Sequence, residues 1–154
     1  MGIEIERKFL VTGDGWRQPA SAQTRFSQGY LSRDPARTVR VRLAGERAFL
    51  TIKGATQGAT RAEFEYEVPL ADAQQLLAMC DGPVVEKIRH LCLHEGMTWE
   101  VDEFLGANAG LVVAEIELES EGQAFAHPAW LGAEVTSDAR YVNANLAVRP
   151  FTSW

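Results

Sequence analysis

Along most of the 154-residue chain, apolar and charged side chains alternate with a period of two, which places successive residues on opposite faces of a strand. In the opening segment Glu4, Glu6 and Lys8 share one face, and Ile3, Ile5 and Phe9 share the other together with Arg7. Gln28 and Tyr30 are in phase in FSQGYL, Arg40 and Arg42 oppose Val39, Val41 and Leu43, and Lys53 opposes Leu50 and Ile52. After a Gly-rich turn at 54–58, Glu63, Glu65 and Glu67 oppose Phe64, Tyr66 and Val68. Further on, Lys87 aligns with Arg89, Glu100 with Asp102, and Glu115 with Glu117 and Glu119.

Helical spacing replaces this alternation in three places. Leu76, Leu77 and Cys80 predict a helix over 71–80, stopped by Gly82-Pro83. A short helix is expected at 120–126 ahead of Pro128, and another over SDARYVNANLAV with Ser137 as its N-cap. The fold expected is mainly β, an antiparallel structure of about eight strands with a few flanking helices and a C-terminal helix. No fixed-period repeat or low-complexity linker divides residues 1–154, which read as one domain.

A wet outer sheet face is the ordinary explanation of alternating charge. Here, however, strand after strand carries two like charges at i and i+2, some strands purely acidic and others purely basic. Like charges on one face repel by some tenths of a kcal/mol per pair. Turned inward in a closed sheet, they give a lumen with carboxylates for a divalent ion and bases for phosphate oxygens.

Composition narrows the alternatives. The net charge of −6 excludes a general nucleic-acid binder without excluding a local phosphate site. No apolar run reaches the ~18 residues of a membrane span. MGIEIERKFL also carries acids where a secretory leader has a basic tip, so a cytoplasmic location is expected. Cys80 and Cys92 lack metal-ligand spacing and read as small buried hydrophobes. His90, His94 and His127 form no ligand set, no serine sits in a nucleophile motif, and the glycines after Lys53 lack a Walker ending.

The series Glu4-x-Glu6-x-Lys8, Arg40-x-Arg42, Lys53, Glu63-x-Glu65, Lys87-x-Arg89, Glu100-x-Asp102, Glu115-x-Glu117 and Arg140-Tyr141-x-Asn143 covers nearly the whole chain. In this order it resembles the CYTH superfamily, or triphosphate tunnel metalloenzymes, and most closely the short bacterial inorganic triphosphatases. The resemblance implies an eight-stranded antiparallel tunnel that hydrolyses a linear triphosphate, most simply tripolyphosphate to pyrophosphate and phosphate, with Mg²⁺ or Mn²⁺. It implies phosphate contacts from Lys8, Arg40, Arg42, Lys53, Lys87, Arg89 and Arg140. Glu4, Glu6, Glu115 and Glu117 are implied as metal ligands. Glu63, Glu65, Glu100 and Asp102 are implied at a second metal or the attacking water. Lys87 and Tyr30 are the catalytic candidates. Thiamine- or nucleoside-triphosphate hydrolysis, adenylyl cyclisation and non-catalytic polyphosphate binding stay open as alternatives. The expected partner is a small-molecule triphosphate, with no nucleic acid and no membrane. A homodimer stays open, with exposed Phe64, Tyr66 or Trp99 as its sign.

Overall fold

The computed structural model describes residues 2–18 and 21–154. The chain runs β1 (Gly2–Val11), β2 (Gln23–Ser32), β3 (Arg37–Ala44), β4 (Arg47–Gly54), β5 (Thr60–Val68), α1 (Leu70–Ala78), β6 (Val85–His94), β7 (Met97–Phe104), β8 (Val112–Glu117), β9 (Leu131–Glu134) and α2 (Asn143–Leu146), with single 3-10 turns at Gly106–Asn108, Ala139–Tyr141 and Phe151–Ser153. All strand pairings are antiparallel, in the order β5-β4-β3-β2-β6-β7-β8-β1-β9.

The first strand closes the sheet on itself. Its first half, Gly2 to Ile5, pairs with β5, and its second half, Glu6 to Leu10, pairs with β8. Eight strands, the number the alternation predicts, thus form a barrel, the closure the resemblance implies, and β9 is an addition that joins β1 at Phe9 and Val11. Closure removes the open edges that make an isolated sheet aggregate.

Three apolar clusters surround the barrel. Outside β2–β5, helix α1 packs Ala73, Leu76 and Leu77 against Val41, Leu43 and Leu50. Gly29 permits this approach, because a Cβ there would lie 2.9 Å from Cys80 Sγ and 3.2 Å from Leu77 Cδ2. Outside β1, β6, β7 and β8, Trp16, Phe125 and Trp130 cover Phe9, Cys92, Trp99 and Ile116. The third cluster lies at one end of the barrel, where Tyr141, Ala144 and Leu146 pack on Tyr30, Val85, Phe104 and Val113. Because 85, 104 and 113 are in phase with the charged positions 87, 102 and 115, the C-terminal segment is a stopper in the barrel rather than a coat on it. Phe64 and Tyr66 are exposed (46% and 58%), whereas Trp99 is fully buried.

Two helix expectations fail. Segment 120–126 forms a turn and then chain without regular structure. Along that path Phe125 stacks on His127 and lies under Arg7. The 137–148 helix breaks at Val142, which is extended (φ −67°, ψ 126°), leaving one 3-10 turn and one α turn. Asp138, not Ser137, caps the first by accepting from the Arg140 amide. A continuous helix cannot place Tyr141, Asn143 and Ala144 together in the barrel end. Helix α1 ends at Ala78, two residues short of the expected stop. Among the described residues no helix is long and apolar enough to cross a membrane.

Candidate active site

The barrel encloses a cavity of about 230 Å³. Into it project Glu4, Glu6 and Lys8 from β1, Tyr30 from β2, Arg40 and Arg42 from β3, Lys53 from β4, and Glu63 and Glu65 from β5. Lys87 and Arg89 from β6, Glu100 from β7, and Glu115 and Glu117 from β8 join them. The inward face is therefore the charged one, and two of the expected residues are not among the lining. Asp102 is wholly buried behind the wall. Arg140 lies outside, 2.7 Å from Asp138 and stacked over Trp154, with its side chain largely in solvent.

Burial of Asp102 gives it a definite job. Its carboxylate takes a two-point contact from Arg89 at 2.8 and 2.9 Å and an ammonium contact from Lys87 at 2.7 Å. Although burial opposes the charge, Arg89 and Lys87 hold the Asp102 carboxyl below its usual range. Arg89 also reaches Glu100 and Glu115, each at 3.0 Å, so three carboxylates fix its guanidinium.

Lys87 is the most enclosed cation, 1% exposed. Burial pushes its ammonium down to about 7, with Asp102 opposing and Arg89 and Arg42 adding to the shift. A lysine in that range exchanges protons readily near neutral pH. Phe26, one residue pair below Gln28 on the inner face of β2, provides an aromatic floor with its centroid 4.3 Å from Arg42 and 4.9 Å from Arg89.

On the paired strands β1 and β8 the acids crowd. Carboxylate oxygens of Glu4, Glu6 and Glu117 lie within 4.8 Å of one another. Burial, then Glu115 and Glu4, hold the Glu6 carboxyl well above its usual value. Burial, Glu63 and Glu115 raise Glu117. Burial raises Glu4 as well, with Lys53 opposing and Glu63 adding. Three hard oxygen donors at this spacing fit a divalent ion, whose opposite ligands at ~2.0–2.1 Å stand ~4 Å apart. Glu115 differs from them. Despite burial it is held well below its usual range by Lys8, a hydrogen bond shared with Glu6, Arg89 and Lys87.

The remaining bases face the open space. Arg40 Nε is buried with no hydrogen-bond partner among the described residues, while its Nη2 touches Thr51 and Glu65 at 3.2 and 3.5 Å. An orphaned guanidinium N–H on a cavity wall suits an anionic oxygen. Lys53 sits 3.1 Å from Glu4 and 3.2 Å from Glu63. Burial and Arg40 press its ammonium down, but Glu4, Glu6 and Glu63 outweigh them and raise it.

Sequence reasoning overlooked Arg61, which lines the cavity and donates to the Gly54 carbonyl at 3.2 Å. Its period-two phase with Glu63 and Glu65 was the available signal. Phe26 was readable in the same way, from its phase with Gln28 and Tyr30.

Comparison with known proteins agrees with this geometry. A model of the CYTH domain matches residues 2–150. An inorganic triphosphatase of Acetivibrio thermocellus is 47% identical over 155 residues, covering 100% of this chain and 99% of that protein. An inorganic triphosphatase of Nitrosomonas europaea is 38% identical over 152 residues, covering 94% and 97%. The crystal structure of the inorganic triphosphatase NE1496 superposes with a TM-score of 0.68 at 35% identity, covering 94% of each chain. An antiparallel barrel whose inward faces carry the Glu4/Glu6/Lys8 series and its partners, matched over almost its whole length, belongs to the CYTH family.

Proposed function

We propose that this protein hydrolyses inorganic tripolyphosphate to pyrophosphate and phosphate, with Mg²⁺ or Mn²⁺ held by Glu4, Glu6 and Glu117. The observation that carries this reading is the lumen itself, in which seven carboxylates and seven basic side chains line one enclosed space. Capture of an anion alone needs only the bases, whereas the crowded acids are explained by a cation.

The residues divide the work. Arg40, Arg42, Lys53 and Lys8 grip non-bridging oxygens and hold the chain of phosphates along the lumen. Arg89 is already bound to three carboxylates, and with Asp102 it stiffens the wall from which Lys87 projects. Glu4, Glu6 and Glu117 would hold the divalent ion, which would supply charge neutralisation at the reacting phosphate. In this reading Lys87 and the Tyr30 hydroxyl orient the attacking water, and the low affinity of Lys87 for its proton lets the neutral amine accept one from that water. Glu63, Glu65 and Glu100 line the wall and balance the bases between turnovers. Phosphoryl transfer needs little covalent help, so position and charge supply most of the rate. The free thiols Cys80 and Cys92 suit a reducing cytoplasm.

Phosphate release from tripolyphosphate, thiamine triphosphate, ATP and pyrophosphate, each with Mg²⁺, Mn²⁺ or chelator, tests the reading. Metal-dependent release from tripolyphosphate alone is expected. Cyclic AMP from ATP, or tight binding without turnover, refutes it. Replacing Lys87 by Ala is expected to lower kcat by about 10²-fold or more while leaving Mg²⁺ binding intact. Nearly normal turnover removes the catalytic assignment.

A further inference from the structure

Two uncharged amides connect the basic wall to the C-terminal stopper. Gln28 on β2 is fully buried, at 0% exposure. Its Oε1 accepts from Arg42 Nε at 2.9 Å, and its Nε2 donates to the Tyr30 hydroxyl at 3.1 Å and to Asn143 Oδ1 at 3.2 Å. The same Asn143 oxygen accepts from Lys87 Nζ at 2.8 Å. Arginine and an ammonium have only donors to offer, so both amide orientations follow from their neighbours. The carbonyl of Gln28 must face Arg42, that of Asn143 must face Lys87, and the Gln28 amide nitrogen spans between them.

The choice of an amide at position 28 matters for charge. Among the described residues Arg42 has no carboxylate within 4.0 Å, unlike Arg89, which has three. Arg42 is held instead by the Phe26 ring and by one neutral hydrogen bond to Nε, which leaves its two terminal nitrogens and its full charge for a ligand. A carboxylate at 28 would hold the same nitrogen and cancel the charge. At the other end, Asn143 belongs to the segment in which Lys8 Nζ also meets the Tyr141 carbonyl at 3.3 Å.

We propose that Gln28 and Asn143 are positioning residues for the triphosphatase reaction. Gln28 aims Arg42 at the substrate without neutralising it, and Asn143 aims Lys87, so the site is complete only when the C-terminal segment fills the barrel end. The proposal rests on the reading that the lumen binds a triphosphate.

Steady-state kinetics with tripolyphosphate and Mg²⁺ separate the two roles. Gln28→Met, close in shape but without either polar atom, is expected to raise KM about ten-fold with kcat changed less than about three-fold. Gln28→Glu keeps an acceptor for Arg42 and adds a charge, and it is expected to raise KM by at least about as much. A merely structural Gln28 predicts near-normal KM for the Glu variant. Asn143→Leu is expected to lower kcat about ten-fold with KM changed less than about three-fold. Near-normal KM in the Gln28→Glu variant, or unchanged kcat in Asn143→Leu, overturns the proposal. Side-chain NMR reads it without turnover: the Arg42 Nε–H should exchange slowly in the unmodified protein and at least about ten-fold faster in Gln28→Met. Unchanged exchange overturns the proposal even if no triphosphate is hydrolysed. Slow exchange lost in the variant, together with an inert unmodified protein, supports the positioning and removes the triphosphatase reading alone.

Discussion

At the residue scale, buried charge is most readily tolerated here where a buried ion faces fixed partners of opposite sign. Asp102 illustrates the point most sharply, since it faces Lys87 and Arg89 and no solvent. Removing it takes from Lys87 the carboxylate at 2.7 Å and from Arg89 one of its three, so Asp102→Ala is expected to cost about 3–5 kcal/mol of unfolding free energy, measured by urea denaturation at neutral pH. A loss below about 1 kcal/mol, the range of an exposed pair, would show that water or rearrangement compensates. The pH dependence has a definite sign. The Asp102 carboxyl is held below its unfolded value, so its contribution is fully present above about pH 4 and fades as the pH falls further. The alanine variant should accordingly lose less stability than the parent between pH 5 and pH 2, taken as the approximate window around that reference value.

At the element scale, the eight barrel strands were legible because one face had to be charged and the other apolar, and period two records that directly. The same alternation revealed which side chains share the lumen, and all the expected residues except Asp102 and Arg140 line it. Asp102 lies in phase with Glu100 but sits one step deeper, beside Phe104 and the stopper, a difference of depth that a strand pattern does not carry. Arg140, implied at the site by the resemblance, lies outside the lumen, on a segment where the 137–148 periodicity describes one helix and the packing demand of the barrel end breaks it at Val142. Strand β9 is only four residues long and takes its pairing from β1, which leaves no periodic trace of its own. Gly29 shows what the element level adds to such a pattern. Helix α1 lies so close to β2 that Gly29→Ala must displace Cys80 and Leu77, and overpacking of this kind costs about 1–3 kcal/mol. Thermal denaturation should show the loss, and pairing the change with Cys80→Ala should recover most of it. Failure of the double variant to recover would mean that the backbone of α1, not the Cys80 side chain, sets the distance.

At the scale of the whole molecule, the charge is divided between an interior and a shell. The lining carries equal numbers of acidic and basic side chains, so the net charge of −6 belongs to the remainder of the chain. A polyanion therefore approaches a negative body and enters a lumen that is close to neutral until something cancels its carboxylates. A divalent ion at Glu4, Glu6 and Glu117 would leave the bases in excess, and by linkage each ligand should then strengthen the other. This coupling can be tested without metal by cancelling the acids chemically. Because burial holds both carboxyls above their usual values, the comparison belongs at alkaline pH, where Glu6→Gln combined with Glu117→Gln removes negative charge from the lumen that would hold the phosphates. At an effective dielectric constant of ~20, one unit charge at 4 Å corresponds to ~4 kcal/mol, and salt and water reduce that considerably. Calorimetry in chelator should show the double variant binding tripolyphosphate at least about ten-fold more tightly than the parent, while Mg²⁺ no longer raises its melting temperature. Tighter anion binding by a protein that has lost its metal response is an outcome a simple phosphate-binding pocket does not predict. Equal affinity in the two proteins would mean that the acidic wall and the phosphate path do not feel each other's charge, and the shared lumen would then be two separate sites.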